Sequence, residues 1–298
     1  MIDLSICIVS YNTKDLLVRC IESIYQSKPE VSYEIIVVDN NSTDGTVDVI
    51  KQKFNKVKLI ENKENFGFAY ANNQAIKRAS GRYFFMLNSD TIVLPRSLDN
   101  LVSFMDLNPS CGAAGAKLLN RDMSVQPSCK KFLDLKTAFC IDTVLGKVMP
   151  FVENRYRMSD FEYNETIEVD QPMGAALIVR MDTIRQIGLL DERFFFFFEE
   201  VDWCYRIKKS GWKIFFVHSA EIMHYKDNNQ INEQVNLSRL FLWHKSKYKF
   251  LRKYYPFILV FILRAFVIFS SVLLILKNLI FNKYRFINSY WILIKASL

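Results

Sequence analysis

The feature that most restricts how this chain can fold is an alternation, over its first hundred residues, of short apolar runs with stretches whose apolar residues recur at helical spacing. SICIVS (5–10) is followed by Leu17, Ile21 and Ile24, and EIIVVD (34–39) by Val47, Ile50 and Phe54. VKLIEN (57–62), a helix through Ala75 and Ala79, and RYFFMLN (82–88) continue the pattern. Runs that stay apolar at every position predict strands covered on both faces. Helices between such strands predict an α/β fold with a mostly parallel, Rossmann-like sheet and flanking helices. A further helix carries Leu98, Leu101, Val102 and Met105, after which the stretch from Leu119 to Asp170 has mixed polarity and no clean period and reads as irregular. Regularity returns with PMGAALIVR (172–180) and with a helix over EEVDWCYRIKKSG that Gly211 closes.

The last quarter changes character. FILVFILRAFVIFSSVLLIL (257–276) has the length of about 20 residues that crosses a bilayer core. Arg264 lies inside it, and a central arginine costs about 2.5–3.5 kcal/mol on insertion scales. Two placements stay open, a span in which Arg264 snorkels to an interface and a helix lying in the membrane plane. Residues 226–298 hold 12 basic and 2 acidic side chains, a net +10, whereas the rest of the chain is at −2. A basic tail beside apolar runs points to an anionic membrane surface. With no nucleic-acid-binding motif beside the charge, no nucleic acid partner is expected. The six cysteines form no C-x-x-C pair and several stand among apolar neighbours, which predicts buried thiols in a reducing compartment. The start of the chain lacks the basic segment and long apolar core of a signal peptide. The expected organisation is a globular domain over 1–226 and a basic, apolar, helical membrane-associating tail over 227–298, on the cytoplasmic face of a membrane.

Open α/β sheets bind ligands beyond the carboxyl ends of their strands. Three such ends are polar here: Ser10, Tyr11 and Asn12, then Asp39, then Asn88, Ser89 and Asp90. Any one alone reads as a turn or a helix cap. Their occurrence in order makes a ligand site the better reading.

The ordered segments SICIVSYN, VVDNNSTDGT, NFGFAYANNQA, LNSD, GAALIV and FFFFFEEVDWCYRIKKSGW resemble the successive motifs of glycosyltransferase family 2, over roughly Leu4 to His224. They are most similar to its rhamnosyltransferase-like bacterial members, which build surface polysaccharides. The resemblance implies a GT-A fold with C-terminal membrane-associated helices. It also implies an inverting, metal-dependent glycosyltransferase that moves a sugar, rhamnose being one candidate, from a UDP- or dTDP-sugar to a saccharide or polyprenyl-linked acceptor.

The resemblance also assigns roles. Ser10, Tyr11, Asn12, Asp39 and Asp44 would hold the nucleotide, and Gly67 and Asn72 would line the nucleotide-sugar pocket. LNSD takes the place of the family's D-x-D motif with Asn88 in place of the first acid. Asp90 is therefore the expected ligand of Mg²⁺ or Mn²⁺, with Asn88 and Ser89 beside the donor and His224 as a further metal ligand. Glu199, Glu200 and Asp202 match the E-D-x-D motif and are the expected catalytic residues, with Glu200 in the place of the general base. The irregular stretch 119–170 would face the acceptor, and Phe194 to Phe198 would wall the sugar pocket and desolvate Glu200.

Other readings stay open for several of these residues. Asp39 could cap a helix, Asn72 could bond its own backbone, the acids could form a solvated first turn, and the phenylalanines could be core. Two other functions also remain open, a sugar nucleotidyltransferase, although SYNTKD is not its Gly-rich basic loop, and a catalytically degenerate sugar-nucleotide binder.

Overall fold

The apolar runs do become strands, covered on both faces except over 58–61, an edge strand in which Lys58 and Glu61 are exposed. The computed structural model describes residues 2–143, 145–225, 233–280 and 287–298. The strands are β1 (Leu4–Ser10), β2 (Tyr33–Asp39), β3 (Lys58–Glu61), β4 (Tyr83–Asn88), β5 (Thr91–Val93), β6 (Cys111–Leu119), β7 (Val125–Gln126), β8 (Cys129–Lys130), β9 (Ile167–Glu168), β10 (Gln171–Pro172), β11 (Ala176–Arg180) and β12 (Lys213–His224). The helices are α1 (Lys14–Gln26), α2 (Thr46–Lys53), α3 (Phe68–Ile76), α4 (Ser97–Leu107), α5 (Leu135–Ile141), α6 (Leu145–Val148), α7 (Pro150–Arg157), α8 (Met181–Ile187), α9 (Glu199–Lys209), α10 (Glu233–Tyr254), α11 (Phe257–Ile280) and α12 (Ile287–Ser297). The chain forms two compact units. The first comprises Met1–Lys130, Glu162–Phe195 and Glu199–Lys226, and the second Lys131–Phe161, Phe196–Phe198 and Asp227–Leu298.

In the first unit the main sheet runs β3-β2-β1-β4-β11-β6-β12-β5. The half from β3 to β4 is wholly parallel, as expected of strands joined by crossover helices. β11 lies antiparallel to both β4 and β6. The reason is topological: β6 ends and β11 begins at the same edge of the sheet, with Ala176 opposite Leu87, so no crossover turns the chain round. Ile6, Ile8, Val37, Phe85 and Leu87 join Leu17 and Ile21 of α1 in one buried cluster. All six cysteines are buried and unpaired, and burial pushes the Cys20 and Cys111 thiols up to about 12.

The stretch 119–170 is more ordered than its polarity suggests. It contains the two-residue strands β7, β8 and β9, and the helices α5, α6 and α7. Those three helices belong to the second unit together with α10, α11 and α12. There Lys247 is buried in an ion pair with Asp142, and its ammonium stands 4.2 Å from the centre of the Tyr248 ring. Burial pulls the neighbouring His244 imidazole down to about 3. α11 buries one face, including Val260, Leu263, Val267 and Ile275. Its opposite face leaves Ile258, Phe261, Ile262, Phe269, Leu273 and Leu276 exposed at helical spacing. Arg264 turns inward, donating from Nε to the Ser297 carbonyl and lying 5.5 Å from the Tyr248 ring centre. The boundary expected between 226 and 227 lies outside the described residues.

One close approach holds the sheet's opposite edge. A methyl group on Gly81 would stand 2.7 Å from the Ser5 nitrogen and 2.9 Å from the Leu4 carbonyl carbon, both backbone atoms that cannot swing aside. Gly81→Ala is expected to destabilise the first unit by about 1–3 kcal/mol. The measurement is the denaturant midpoint, and an unchanged midpoint would contradict the packing described.

Candidate active site

The registers of three parallel strands align the polar ends. Ser10 pairs with Asp39 across β1 and β2, and Val9 pairs with Asn88 across β1 and β4. The strand order also reverses at β1, with β2 and β3 on one side and β4 on the other, which opens a crevice beyond the carboxyl ends. At its rim Tyr11 is 50% exposed. Asp39 is buried. Its Oδ2 accepts the Ser42 N–H at 2.8 Å, while its Oδ1 is buried with no hydrogen-bond partner, so the local bond and a capacity for ligand coexist in one carboxylate. Asn12 is in the left-handed region (φ 53°), and its Oδ1 accepts the Thr43 N–H at 2.8 Å. Asp44 accepts from the Lys14 N–H and from the Thr46 N–H and hydroxyl, tying the starts of α1 and α2 together.

Gly67 stands at the start of α3 with φ +88°. A Cβ there would lie 2.5 Å from the Phe195 carbonyl oxygen and 2.7 Å from its ring, so only glycine fits. The next residue, Phe68, donates its N–H to that same carbonyl at 2.8 Å. Asn72 donates to the Phe68 carbonyl of its own helix, and its Oδ1 is buried with no hydrogen-bond partner. Asn73 bonds both backbone groups of Leu190 and is a structural clamp.

At the end of β4, Asn88 donates its N–H to the Ala175 carbonyl, and Ser89 is buried in the turn into β5. The Asp90 carbonyl accepts the Tyr225 N–H at 2.8 Å, which brings the end of β12 against the turn. His224 Nε2 is then 3.3 Å from Asp90 Oδ1 and 3.5 Å from Asn88 Nδ2. Among the described residues no group of three or more His, Cys, Asp or Glu side chains gathers. A carboxylate and an imidazole converging this closely fit a divalent cation whose other ligands are diphosphate oxygens and water, the usual way a hard cation binds beside phosphates.

The first turn of α9 separates its acids. Glu199 is buried with Oε2 lacking a hydrogen-bond partner, and burial, followed by the Glu200 charge, pushes its carboxyl well above the usual range. Glu200 is half-buried and its Cβ and Cγ lie over Gly174, where a methyl group would come within 3.1 and 3.2 Å of them. Gly174 precedes Ala175, the residue that receives the Asn88 N–H, so one short backbone bridge links Glu200 to the end of β4. Asp202 is fully buried and accepts from Arg206 Nε at 2.9 Å. Arg206 in turn donates to the carbonyls of Ile187 and Leu189, pinning α9 to the chain after α8. The phenylalanine run divides. Phe194 is buried, Phe195 backs Gly67, and Phe198 lies edge-on to Trp243, 5.5 Å between ring centres, within the second unit. Phe197 and Phe198 both have φ near +68°, a costly backbone for aromatic residues immediately before the acidic turn.

Two residues of the site went unnoticed in the sequence. Gly174 heads the segment GAALIV, to which the sequence assigns no role at the site. Gln126, on β7, bonds His224 and lies in the stretch read as irregular; the Asn120-Arg121-Asp122 turn between Leu119 and Val125 was the available hairpin signal.

Comparison with known proteins fits this geometry. The solved structure of mannosyltransferase PcManGT from Pyrobaculum calidifontis, in complex with GDP-Man and Mn²⁺, superposes with a TM-score of 0.59 at 15% identity, covering 99% of this chain and 85% of that one. GalNAc-T7 with UDP, GalNAc and Mn²⁺ gives a TM-score of 0.59 at 16% identity, covering 83% of this chain and 47% of that one. The fold is therefore GT-A. The chain is 30% identical over 261 residues, 83% of either protein, to N-acetylglucosaminyl-diphospho-decaprenol L-rhamnosyltransferase of Mycobacterium tuberculosis. It is 39% identical over 103 residues, 34% of this chain and 41% of the relative, to the Escherichia coli UDP-Glc:alpha-D-GlcNAc-diphosphoundecaprenol beta-1,3-glucosyltransferase WfaP. The model of "Glycosyl transferase family 2" matches residues 5–158, just over half of the sequence, and with the long mycobacterial match it establishes that this chain belongs to glycosyl transferase family 2.

Proposed function

We infer that the protein is an inverting glycosyltransferase that moves a sugar, rhamnose in the reading favoured here, from a UDP- or dTDP-sugar to a saccharide carried on a polyprenyl diphosphate. The observation that carries this reading is the row of Asp39, Ser10 and Asn88 along one sheet edge, with Asp90 and His224 converging next to it and Glu200 reached through Gly174. Asp39 Oδ1, buried without a hydrogen-bond partner, suits an N–H or hydroxyl of the nucleoside, because an unmatched ligand would leave it unsatisfied. Tyr11 offers an exposed ring to the base.

Glu200 is the acceptor base. It removes the proton from the acceptor hydroxyl, the freed oxygen attacks the anomeric carbon, and the bond from that carbon to the diphosphate oxygen breaks with inversion. Asp90 and His224 would hold a divalent cation, which when bound neutralises charge on the departing diphosphate. Asp202 positions α9 through Arg206, and Glu199 lends that turn a carboxyl that burial favours in its neutral form.

The acceptor class is supported by the named substrates of the two relatives and by α11, which is long and apolar enough to cross a membrane. Its inner face is covered within its own unit, and Arg264 is satisfied there, so in-plane docking suits it better than a span. The basic charge of 226–298 favours an anionic leaflet, and the free, buried thiols suit the cytoplasmic side.

Glu200→Gln is expected to retain binding of nucleoside diphosphate and to lose transfer by about 10²-fold or more. Near-normal turnover in that variant excludes Glu200 as the base. Asp90→Ala should abolish the metal-dependent tightening of nucleoside diphosphate binding seen by calorimetry; tightening that survives unchanged places the metal ligand elsewhere. The double variant Ile262→Glu, Phe269→Glu should leave anionic vesicles for the supernatant in a flotation assay, whereas 1 M salt should release little of the unaltered protein, because screening does not remove apolar burial. Full release of the unaltered protein by salt would reduce the tail to an electrostatic anchor.

A further inference from the structure

A chain of hydrogen bonds behind His224 has a single consistent direction. Asn120 donates from Nδ2 to Ser124 Oγ at 3.0 Å and to the Val125 carbonyl at 3.4 Å, which leaves its Oδ1 to accept. Gln126 donates from Nε2 to that Oδ1 at 2.9 Å and to the His224 carbonyl at 3.2 Å. Both of its amide protons are thereby used, and its Oε1 is the atom facing His224 Nδ1, at 2.7 Å. An amide oxygen only accepts, so Nδ1 carries the proton of that bond. In a neutral imidazole the other nitrogen is then bare. That nitrogen, Nε2, is the one 3.3 Å from Asp90 Oδ1.

We propose that Gln126 is a positioning residue that holds His224 in the Nδ1–H tautomer and so presents Nε2, beside Asp90, as a ligand for the divalent cation. The proposal rests on the reading of Asp90 and His224 as metal ligands and adds the residue that selects the ligating nitrogen. Ligating histidines commonly donate their other ring N–H to a carbonyl or carboxylate, which fixes tautomer and ring orientation. Gln126 is suited to this because it is 1% exposed, so water does not compete for Nδ1, and because its own amide cannot flip without losing two bonds. Its place on β7, opposite Leu118 of β6, sets it behind His224 at the end of β12. Asn88 sits on the far side of the imidazole as an amide and not an acid, so the orientation of His224 carries more of the site than it would beside two carboxylates.

The test separates tautomer from metal. In the neutral form of His224, long-range ¹H–¹⁵N correlations on the metal-free full-length protein should show the single ring proton at Nδ1 and Nε2 bare. Gln126→Leu should lose that signature. Binding of Mn²⁺ alone, followed by electron paramagnetic resonance of the free ion, should weaken about 10–100-fold in Gln126→Leu. Gln126→Glu, which keeps an acceptor for Nδ1, should recover most of the affinity although it loses both donated bonds; a merely structural glutamine would not be rescued this way. Thermal midpoints identify any variant that fails to fold, and the tautomer of the unaltered protein tests the proposal without a variant. An unaltered protein with His224 protonated only at Nε2 overturns it. So does a folded Gln126→Leu with unchanged tautomer and affinity while His224→Ala loses Mn²⁺, which would leave the metal site standing. If His224→Ala and Asp90→Ala bind Mn²⁺ as well as the unaltered protein does, the metal site itself falls, and this proposal with it.

Discussion

The parallel ladder joining β2, β1 and β4 is the constraint on which the rest depends. Each of these strands is apolar through its middle, where both faces are covered, and turns polar at its carboxyl end. Neighbouring strands lie about 4.8 Å apart, so an in-register ladder converts three separated sequence positions into a row of polar groups within one nucleotide's reach. A slip of one residue would turn Asp39 and Asn88 toward the opposite face and bury them against helices. The same ladder carries the next tier of the site. Asn88 fixes Ala175, Ala175 fixes Gly174, and Gly174 is the floor under Glu200. The groups proposed for binding and catalysis, from distant parts of the sequence, are thus referenced to one set of backbone hydrogen bonds.

That arrangement explains what could be read in advance. The parallel half of the sheet, its helices and the polar strand ends were legible because their signal is local: an apolar run, a helical period, a change of polarity. The antiparallel entry of β11 was not, since it depends on where the chain stays between β6 and β11. The two-residue strands β7, β8, β9 and β10 are too short to show a period, and β8, β9 and β10 pair with partners far along the chain. Gln126 was hidden because two residues of β7 show no alternation, although their partner β6 lies just before them in a hairpin. Asp202 illustrates a different limit. The sequence sets it among three candidate catalytic acids and does not display its ion pair with Arg206, one helical turn on. The family assignment also removes the nucleotidyltransferase alternative, which shares the α/β pattern.

The second unit follows another logic. Its centre contains a buried lysine and aspartate, and such a pair is weak evidence for stability because desolvation offsets the attraction. Its effect here is to tie the residue that ends α5 to α10, since separating Lys247 from Asp142 leaves two charges without compensation. Arg264 works in the same manner, its charge taken up by the Ser297 carbonyl and the face of Tyr248. An arginine that looked like an obstacle in a membrane helix is therefore a pin within a small helical bundle, and the outer face of α11 is left continuously apolar.

The pairing of α5 with α10 also sets a timetable for biosynthesis. Asp142 and Lys247 are 105 positions apart, so at about 5–20 residues per second the aspartate leaves the ribosome roughly 5–20 s before its partner. α12 follows later still, and until it arrives α11 lacks a neighbour that it has in the finished unit. The nascent chain then presents more apolar surface than the finished unit does, to lipid and to other copies of itself.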